Sequence, residues 1–342
     1  MDYDDVLDDF GGIIEKDLTK QLDIAVKVAR EYHPFMAEVY EAMREFVLRD
    51  GRRLASCSTL MVYQGYTGGI DNRIVRACTG LELYRHSILV HDDIVDVEDL
   101  RRGGETLHRI FGKPFGERFG AGTALFAGNI LYALGLQAVL ESGFESDEIA
   151  KVARLFSSEF RDVNDSQILD QLFEHRNPSA AEWNVMASKR ASSLFRASLL
   201  TGAILARAPE KDIEKLAGAG EHIGFAFDIQ DDIIDTFATK EQYGRDPCGD
   251  ISKRKKPLHI VLALERDRRL AALLGKGPAG INVEEIQSLI RYSGALEAAK
   301  SVSREHAKKA ERLVIQTGMS DAAKGFFVSF IRYVDESLEW YK

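Results

Sequence analysis

Two aspartate triads, each closing a long apolar run, constrain this chain more than any other feature. The first ends the stretch Glu82-Leu-Tyr-Arg-His-Ser-Ile-Leu-Val-His-Asp92-Asp93-Ile-Val-Asp96 and is followed by Leu100-Arg101-Arg102-Gly103. On a helix, Asp92 and Asp96 stand one turn apart on one face, with Asp93 beside them. Stacked like charges repel, so helix stability does not explain them and something positive must sit opposite. A hard divalent cation such as Mg2+ is the natural candidate, since it takes one or two carboxylates and completes its octahedron with water and substrate phosphates. The second triad, in Phe227-Asp228-Ile229-Gln230-Asp231-Asp232-Ile233-Ile234-Asp235, repeats the pattern. Two such helices suggest clusters that face each other across a cavity, with metal ions bridging them to a polyphosphate. A solvated helix end is the weaker reading, because unpaired stacked carboxylates in apolar helices are costly. A third match, Asp4-Asp5-Val6-Leu7-Asp8, lies in an acidic N-terminal segment and reads as a solvated end.

The remaining sequence predicts an all-α fold. Apolar residues recur at helical spacing in 22–29 and 36–48, with Pro34 between them. Asp71 is positioned to cap the long helix of the first triad. Further helices are expected over about 119–141, 146–175, 179–206 and 212–235, from Pro257 onward, and from Val283 to the end. Gly103-Gly104 and 112–116 read as loop, 239–256 as a polar loop and 275–280 as a linker. No alternating strand pattern occurs. The expectation is one domain over 1–342, a single large helical bundle with a central cavity, with 1–20 loosely ordered.

Composition narrows the function. A net charge of -9 in 342 residues argues against a nucleic-acid binder. An acidic protein handling an anionic substrate must gather its cations locally or use metal. Cys57, Cys78 and Cys248 lack ligand spacing and read as thiols of a reducing compartment. The N-terminus shows no signal pattern, so a cytoplasmic protein is expected. Residues 119–140 carry no charge and could span a bilayer by length. Their glycines, Asn129 and Gln137 favour a helix buried all round in a bundle, and no stable membrane insertion is expected.

The paired triads and the Arg-Arg-Gly tail resemble those of the trans-type isoprenyl diphosphate synthases, from about Gly51 to about Leu264. That resemblance implies condensation of isopentenyl diphosphate with an allylic diphosphate, three Mg2+ ions per site with Mn2+ as an alternative, and a homodimer. Asp92, Asp93 and Asp96 match the first metal motif, and Asp231, Asp232 and Asp235 the second. Ser166-Gln167-Ile168-Leu169-Asp170 resembles the family's GQxxD, which adds Asp170 and Gln167 to the metal shell. Arg101 and Arg102 match the arginines that grip diphosphate. Lys189, in a segment resembling the family's KT helix, and Lys255, in a basic loop, should touch the allylic diphosphate; four basic residues leave the choice of Lys255 open. The catalytic group is then Asp92, Asp93, Asp96, Asp231 and Lys189.

The departures fall mainly in the homoallylic subsite. The family's GGKRxRP is Asp50-Gly51-Arg52-Arg53-Leu54-Ala55-Ser56 here, so Arg52 stands for lysine and Ala55 for arginine. Arg85 stands for a histidine, and Phe227-Asp228 for a Phe-Gln pair. Arg85 is expected to replace the charge lost at Ala55, with Asp228 aiming it; a degraded site is the alternative. Arg190, for threonine, and Asn129, for aspartate, carry no reading. Ser87 is small, Ile88 moderate, and Tyr84 a plausible tunnel floor, which favours a C20 product with C25 second. Other readings are a catalytically silent subunit, a class I terpene cyclase, whose second motif would differ, and a metal phosphohydrolase built on His91-Asp92. His86 and His108 do not complete the last of these.

Overall fold

Asp71 caps the helix that carries the first triad, as its position predicts. Its carboxylate accepts from the backbone N–H groups of Arg73 at 3.0 Å and Ile74 at 3.1 Å, satisfying two donors that no helical carbonyl can reach. The computed structural model describes residues 3–49, 51–239, 248–274 and 282–338. In order, it contains α1 (Tyr3–Tyr32), α2 (Pro34–Leu48), α3 (Leu54–Thr67), α4 (Asn72–Val95), β1 (Leu100–Arg101), β2 (Gly104–Glu105), α5 (Leu107–Phe115), α6 (Glu117–Leu140), α7 (Ser146–His175), α8 (Ala180–Leu205) and α9 (Glu210–Phe237). Then follow α10 (Gly249–Ser252), α11 (Leu258–Arg266), α12 (Arg268–Leu274), α13 (Val283–Tyr292), α14 (Ala295–Ile315) and α15 (Asp321–Ser337). Asp50, Gly244 and Pro247, and the expected linker at 275–280, lie outside the described residues.

Contacts group the chain into two compact units. The first comprises Met1–Phe156, Ala197–Pro209 and Met319–Phe326. Its core gathers Leu22, Met43, Phe46, Leu83, Val90, Phe111 and Leu131 from α1, α2, α4, α5 and α6. Helix α4 lies against α6 at a pair of glycines. A Cβ on Gly80 would stand 2.6 Å from the Gly135 carbonyl oxygen, and one on Gly135 would stand 2.7 Å from that of Gly80. Only glycine allows backbones this close. The second unit comprises Ser157–Arg196, Glu210–Gly318 and Phe327–Lys342. Trp183, Phe225, Ile229, Ile233, Ile260 and Leu296 anchor its core. There α9 meets α8 at Gly224, where a Cβ would collide with the carbonyl oxygen of Ala191.

Five expectations are corrected. Residues 3–20 are not loosely ordered: they form the first part of α1, burying Tyr3, Val6, Leu7, Ile14 and Leu18 at spacings of three, four and seven. The Asp4 carboxylate meets Arg52 at 2.5 Å rather than bulk water alone. The segment from Gly112 to Phe115 continues α5, with Pro114 in the last turn and the Gly116 N–H closing on the Gly112 carbonyl. A short hairpin occurs at 100–105, because Arg102 (φ 50°) and Gly103 (φ 76°) both take the left-handed conformation of a tight hairpin turn. Finally, α6 is not buried all round. Its small residues Gly120, Ala124, Ala127, Gly128 and Gly135 pack inward, which leaves bulky Leu125 and Phe126 outside, the latter 65% exposed.

The Gly80–Gly135 crossing gives a direct test. Gly135→Ala should cost about 1–3 kcal/mol through overpacking. It should lower the urea midpoint with little change in slope, and an unchanged midpoint would show that the backbones are not in contact.

Candidate active site

The first triad ends α4, and the hairpin beside it supplies the countercharge. Arg101 donates from Nε to Asp93 Oδ1 at 2.5 Å, and its Nη2 lies 3.3 Å from Asp92 Oδ2. Asp93 is buried, and its Oδ2 has no hydrogen-bond partner. Burial pushes its carboxyl up to about 7 against the pull of Arg101, with Asp92 and Glu98 adding to the rise. A buried carboxylate oxygen with no donor is what a hard cation needs, so this cluster fits Mg2+.

Behind the triad lies a group of arginines around one buried glutamate. Glu82 accepts from Ser56 Oγ at 2.6 Å and faces Arg53 at 3.4 Å. Burial raises its carboxyl, but Arg85, His86 and Arg53 outweigh this and hold it below the usual range. Burial pushes the His86 imidazole down to about 3, so it stays neutral. Its Nε2 lies 3.4 Å from Arg102 Nη1. Arg102 is depressed to about 10, by burial first and then by Arg85. Arg85 is depressed by burial, opposed by Glu82 and reinforced by Arg53 and Arg101. Glu82 thus faces several close guanidinium groups, with Glu15 only at the edge, 3.6 Å from Arg53, and cations in surplus favour an added anion. Arg52 stands apart from this group, with Asp4 and over the Tyr3 ring.

The second triad is arranged differently. Arg190 of α8 donates from Nη1 to Asp170 Oδ1 at 3.1 Å and from Nη2 to Asp228 Oδ2 at 2.7 Å, with Asp232 Oδ2 at 3.4 Å. Lys255 Nζ reaches to 3.7 Å of Asp170. Burial and the Asp228 charge push Asp232 well above the usual carboxylate range, against Arg190. Asp235 is buried and accepts from the Asp250 backbone N–H at 3.1 Å. Asp250 itself is pushed up to about 7 by burial and by Asp235. Asp231 is exposed, and Gln167 is half-buried on α7.

Several placements differ from the sequence reading. Asp228 takes Arg190 as its ion-pair partner, which corrects the pairing with Arg85: the two elements that meet here are α8 and α9. Lys189 points to the acidic surface of α7, 2.9 Å from Asp162 and 2.7 Å from Asp165. Its neighbour Arg190 is the α8 cation brought to the triad. Phe227 packs on Phe195 and Phe330, with ring centroids 5.6 Å and 6.0 Å away. Glu82, Arg53, His86 and Asp250 were not assigned from sequence; three residues before Arg85 and four before His86 on one helix, Glu82 had the spacing to reveal an inward charged pair. Among the described residues no three carboxylate, imidazole or thiol groups form a ready ligand shell, because the second cluster turns its carboxylates to Arg190.

A model of the polyprenyl synthetase family matches residues 36–292. The chain belongs to that family. It is therefore a prenyltransferase of isoprenoid biosynthesis, with trans-prenyl diphosphate synthase activity. It is 28% identical over 298 residues to a short chain isoprenyl diphosphate synthase of Methanocaldococcus jannaschii, covering 85% of this chain and 86% of that one. It is 29% identical over 283 residues to the geranylgeranyl diphosphate synthase of Sulfolobus acidocaldarius, covering 80% and 82%. A geranylgeranyl pyrophosphate synthase of Corynebacterium glutamicum, solved with isoprenyl diphosphate and magnesium, has the same fold, with TM-score 0.88 and 22% identity over 98% of this chain and 99% of that one.

The buried Asp93 predicts a pH dependence. Its proton is held more tightly in the folded state than in the unfolded chain, whose aspartates titrate near about 4. Its contribution therefore destabilises the metal-free fold progressively as pH rises from about 4 to about 7 and levels off above that. Asp93→Asn should flatten the stability profile between those limits, measured by urea unfolding with chelator present. Parallel profiles for variant and wild type would contradict the assignment.

Proposed function

We propose that this enzyme joins isopentenyl diphosphate to an allylic diphosphate and makes an all-trans product of C20, with C25 as the second choice. The observation that carries the reading is the arrangement at the end of α4: a carboxylate oxygen with no donor beside a surplus of guanidinium groups. In the reaction the allylic C–O bond breaks and its electron pair leaves with diphosphate. The π electrons of isopentenyl diphosphate form the new C–C bond, and a proton is lost from carbon to restore a double bond. Bound Mg2+, or Mn2+ in its place, would offset the charge that builds on the leaving diphosphate. Asp92, Asp93, Asp96, Asp170, Asp231, Asp232 and Asp235 are the residues proposed to hold it.

The chain's own cations orient the substrates. Arg101 and Arg102 hold diphosphate through planar N–H forks suited to phosphate oxygens. Arg85 takes the role that an arginine at position 55 would have filled, and Arg52 is assigned to the same subsite, which it would reach on leaving Asp4. Lys255 is assigned to the allylic diphosphate, with Phe227 and Asp228 alongside. Tyr84 sets product length: it is buried and packs on Phe156, with ring centroids 4.9 Å apart. Ser87 and Ile88, one turn nearer the triad, leave room for the growing chain. The free, buried thiols suit the cytoplasm.

Incubation with Mg2+, isopentenyl diphosphate and each allylic diphosphate in turn tests the reading. Geranylgeranyl diphosphate should dominate, and Tyr84→Ala should shift products upward by at least one five-carbon unit. An unchanged product from that variant would remove Tyr84 as the floor. No product from any primer would favour a silent subunit.

The enzyme is also proposed to be a homodimer, formed through the apolar outer face of α6 that exposes Leu125 and Phe126. Light scattering should give twice the chain mass for the wild type and a reduced mass for Phe126→Glu. A monomeric wild type would end this assignment.

A further inference from the structure

The close crossing at Gly224 has a chemical result. One turn beyond Gly224 on α9 stands Asp228, and one turn further stands Asp232. The α8 residue next to Ala191, the point of backbone contact, is Arg190. The crossing therefore delivers a guanidinium to two stacked carboxylates, while α7 contributes Asp170. The Arg190 side chain is only 17% exposed, and its Nε is buried without a hydrogen bond. This is a cation from one helix at the meeting point of three carboxylates from two others, unlike a surface ion pair.

We propose that Arg190 is the resident cation of the second acidic cluster. It stands where a divalent ion would otherwise bridge Asp170, Asp228 and Asp232, so this cluster takes one ion fewer than its carboxylates could hold. The inference rests on the reading above that Asp170 and Asp232 are divalent-ion ligands. The same carboxylate oxygens cannot serve both a guanidinium and a hydrated ion. Guanidinium is charged at every working pH and is weakly hydrated, so it tolerates burial better than ammonium. Asp228 is then the anchor for Arg190, and two unrelated-looking sequence departures are one charge pair.

The test is a Mn2+ titration of the metal-stripped full chain without substrate, with free Mn2+ followed by electron paramagnetic resonance. Arg190→Gln should bind one more Mn2+ per chain than wild type, or bind its ions about tenfold more tightly, a change of about 1.4 kcal/mol. Arg190→Lys, which keeps the charge, should resemble wild type in ion count. Adding Asp228→Asn to Arg190→Gln should remove the gain. Equal count and affinity for Arg190→Gln and wild type would overturn the proposal. If Arg190→Gln does not fold without metal, refolding yield replaces the count. Wild type should then refold without Mn2+ and the variant only with it, and a variant that fails equally with and without Mn2+ overturns the proposal. A wild type that binds no Mn2+ at all would instead refute the metal-ligand reading. Prenyl transfer is assayed separately, so its outcome leaves the ion count standing.

Discussion

A carboxylate withdrawn from water must have a cation within hydrogen-bond reach, and this requirement shapes both halves of the acidic machinery. Breaking such a pair from one side costs about 3–5 kcal/mol, because a charge is left buried alone. At the first triad the cation comes from a two-residue hairpin, which presents Arg101 to Asp92 and Asp93. At the second it comes from the middle of a helix, as Arg190. The hairpin arginine is shared by two carboxylates. A guanidinium shared by three carboxylates has more to lose by moving. The two triads therefore share a sequence pattern and differ in electrostatic character.

Small residues make these pairings reachable. Where Gly80 meets Gly135, α4 and α6 approach until backbone touches backbone. Where Gly224 meets Ala191, α9 and α8 do the same. At the second crossing the helix is fixed one turn from Asp228, so that side chain's aim is set by a position that carries no charge; at the first, Gly80 lies about three turns from Asp92. The chemistry at Asp228 and Asp232 thus depends on a residue one or two turns away whose only property is the absence of a Cβ.

Much of the fold was legible in the sequence, because helices of this length advertise themselves. The 3.6-residue period of apolar positions predicts α7 over 146–175, and the cap at Asp71 fixes the start of α4. The hairpin was hidden, since two residues per strand are too few to alternate. The outward face of α6 was hidden for another reason: its inward residues are glycine and alanine, so mean apolarity could not tell which side packs. In the site, the aspartates were legible from their spacing within one helix. Their partners were not, because Arg190–Asp228 and Arg52–Asp4 join residues far apart in sequence. No periodicity records which residue of one helix faces which residue of another.

The homoallylic subsite can be argued on the same terms. Ala55 is buried in α3 and contributes no charge. If the loss of an arginine there had left a decayed site, nothing would retain unbalanced guanidinium groups nearby. Yet burial depresses both Arg85 and Arg102 around Glu82, Arg85 depresses Arg102 further, and Arg53 and Arg101 lower both. Like charges gathered at the cost of their own ionisation are a destabilising feature of the empty protein. An anion with several oxygens removes that penalty on binding, and a diphosphate does so with more than one group at once. That gain is what supports the proposed reading of the surplus as a binding site whose charge has moved from α3 to α4.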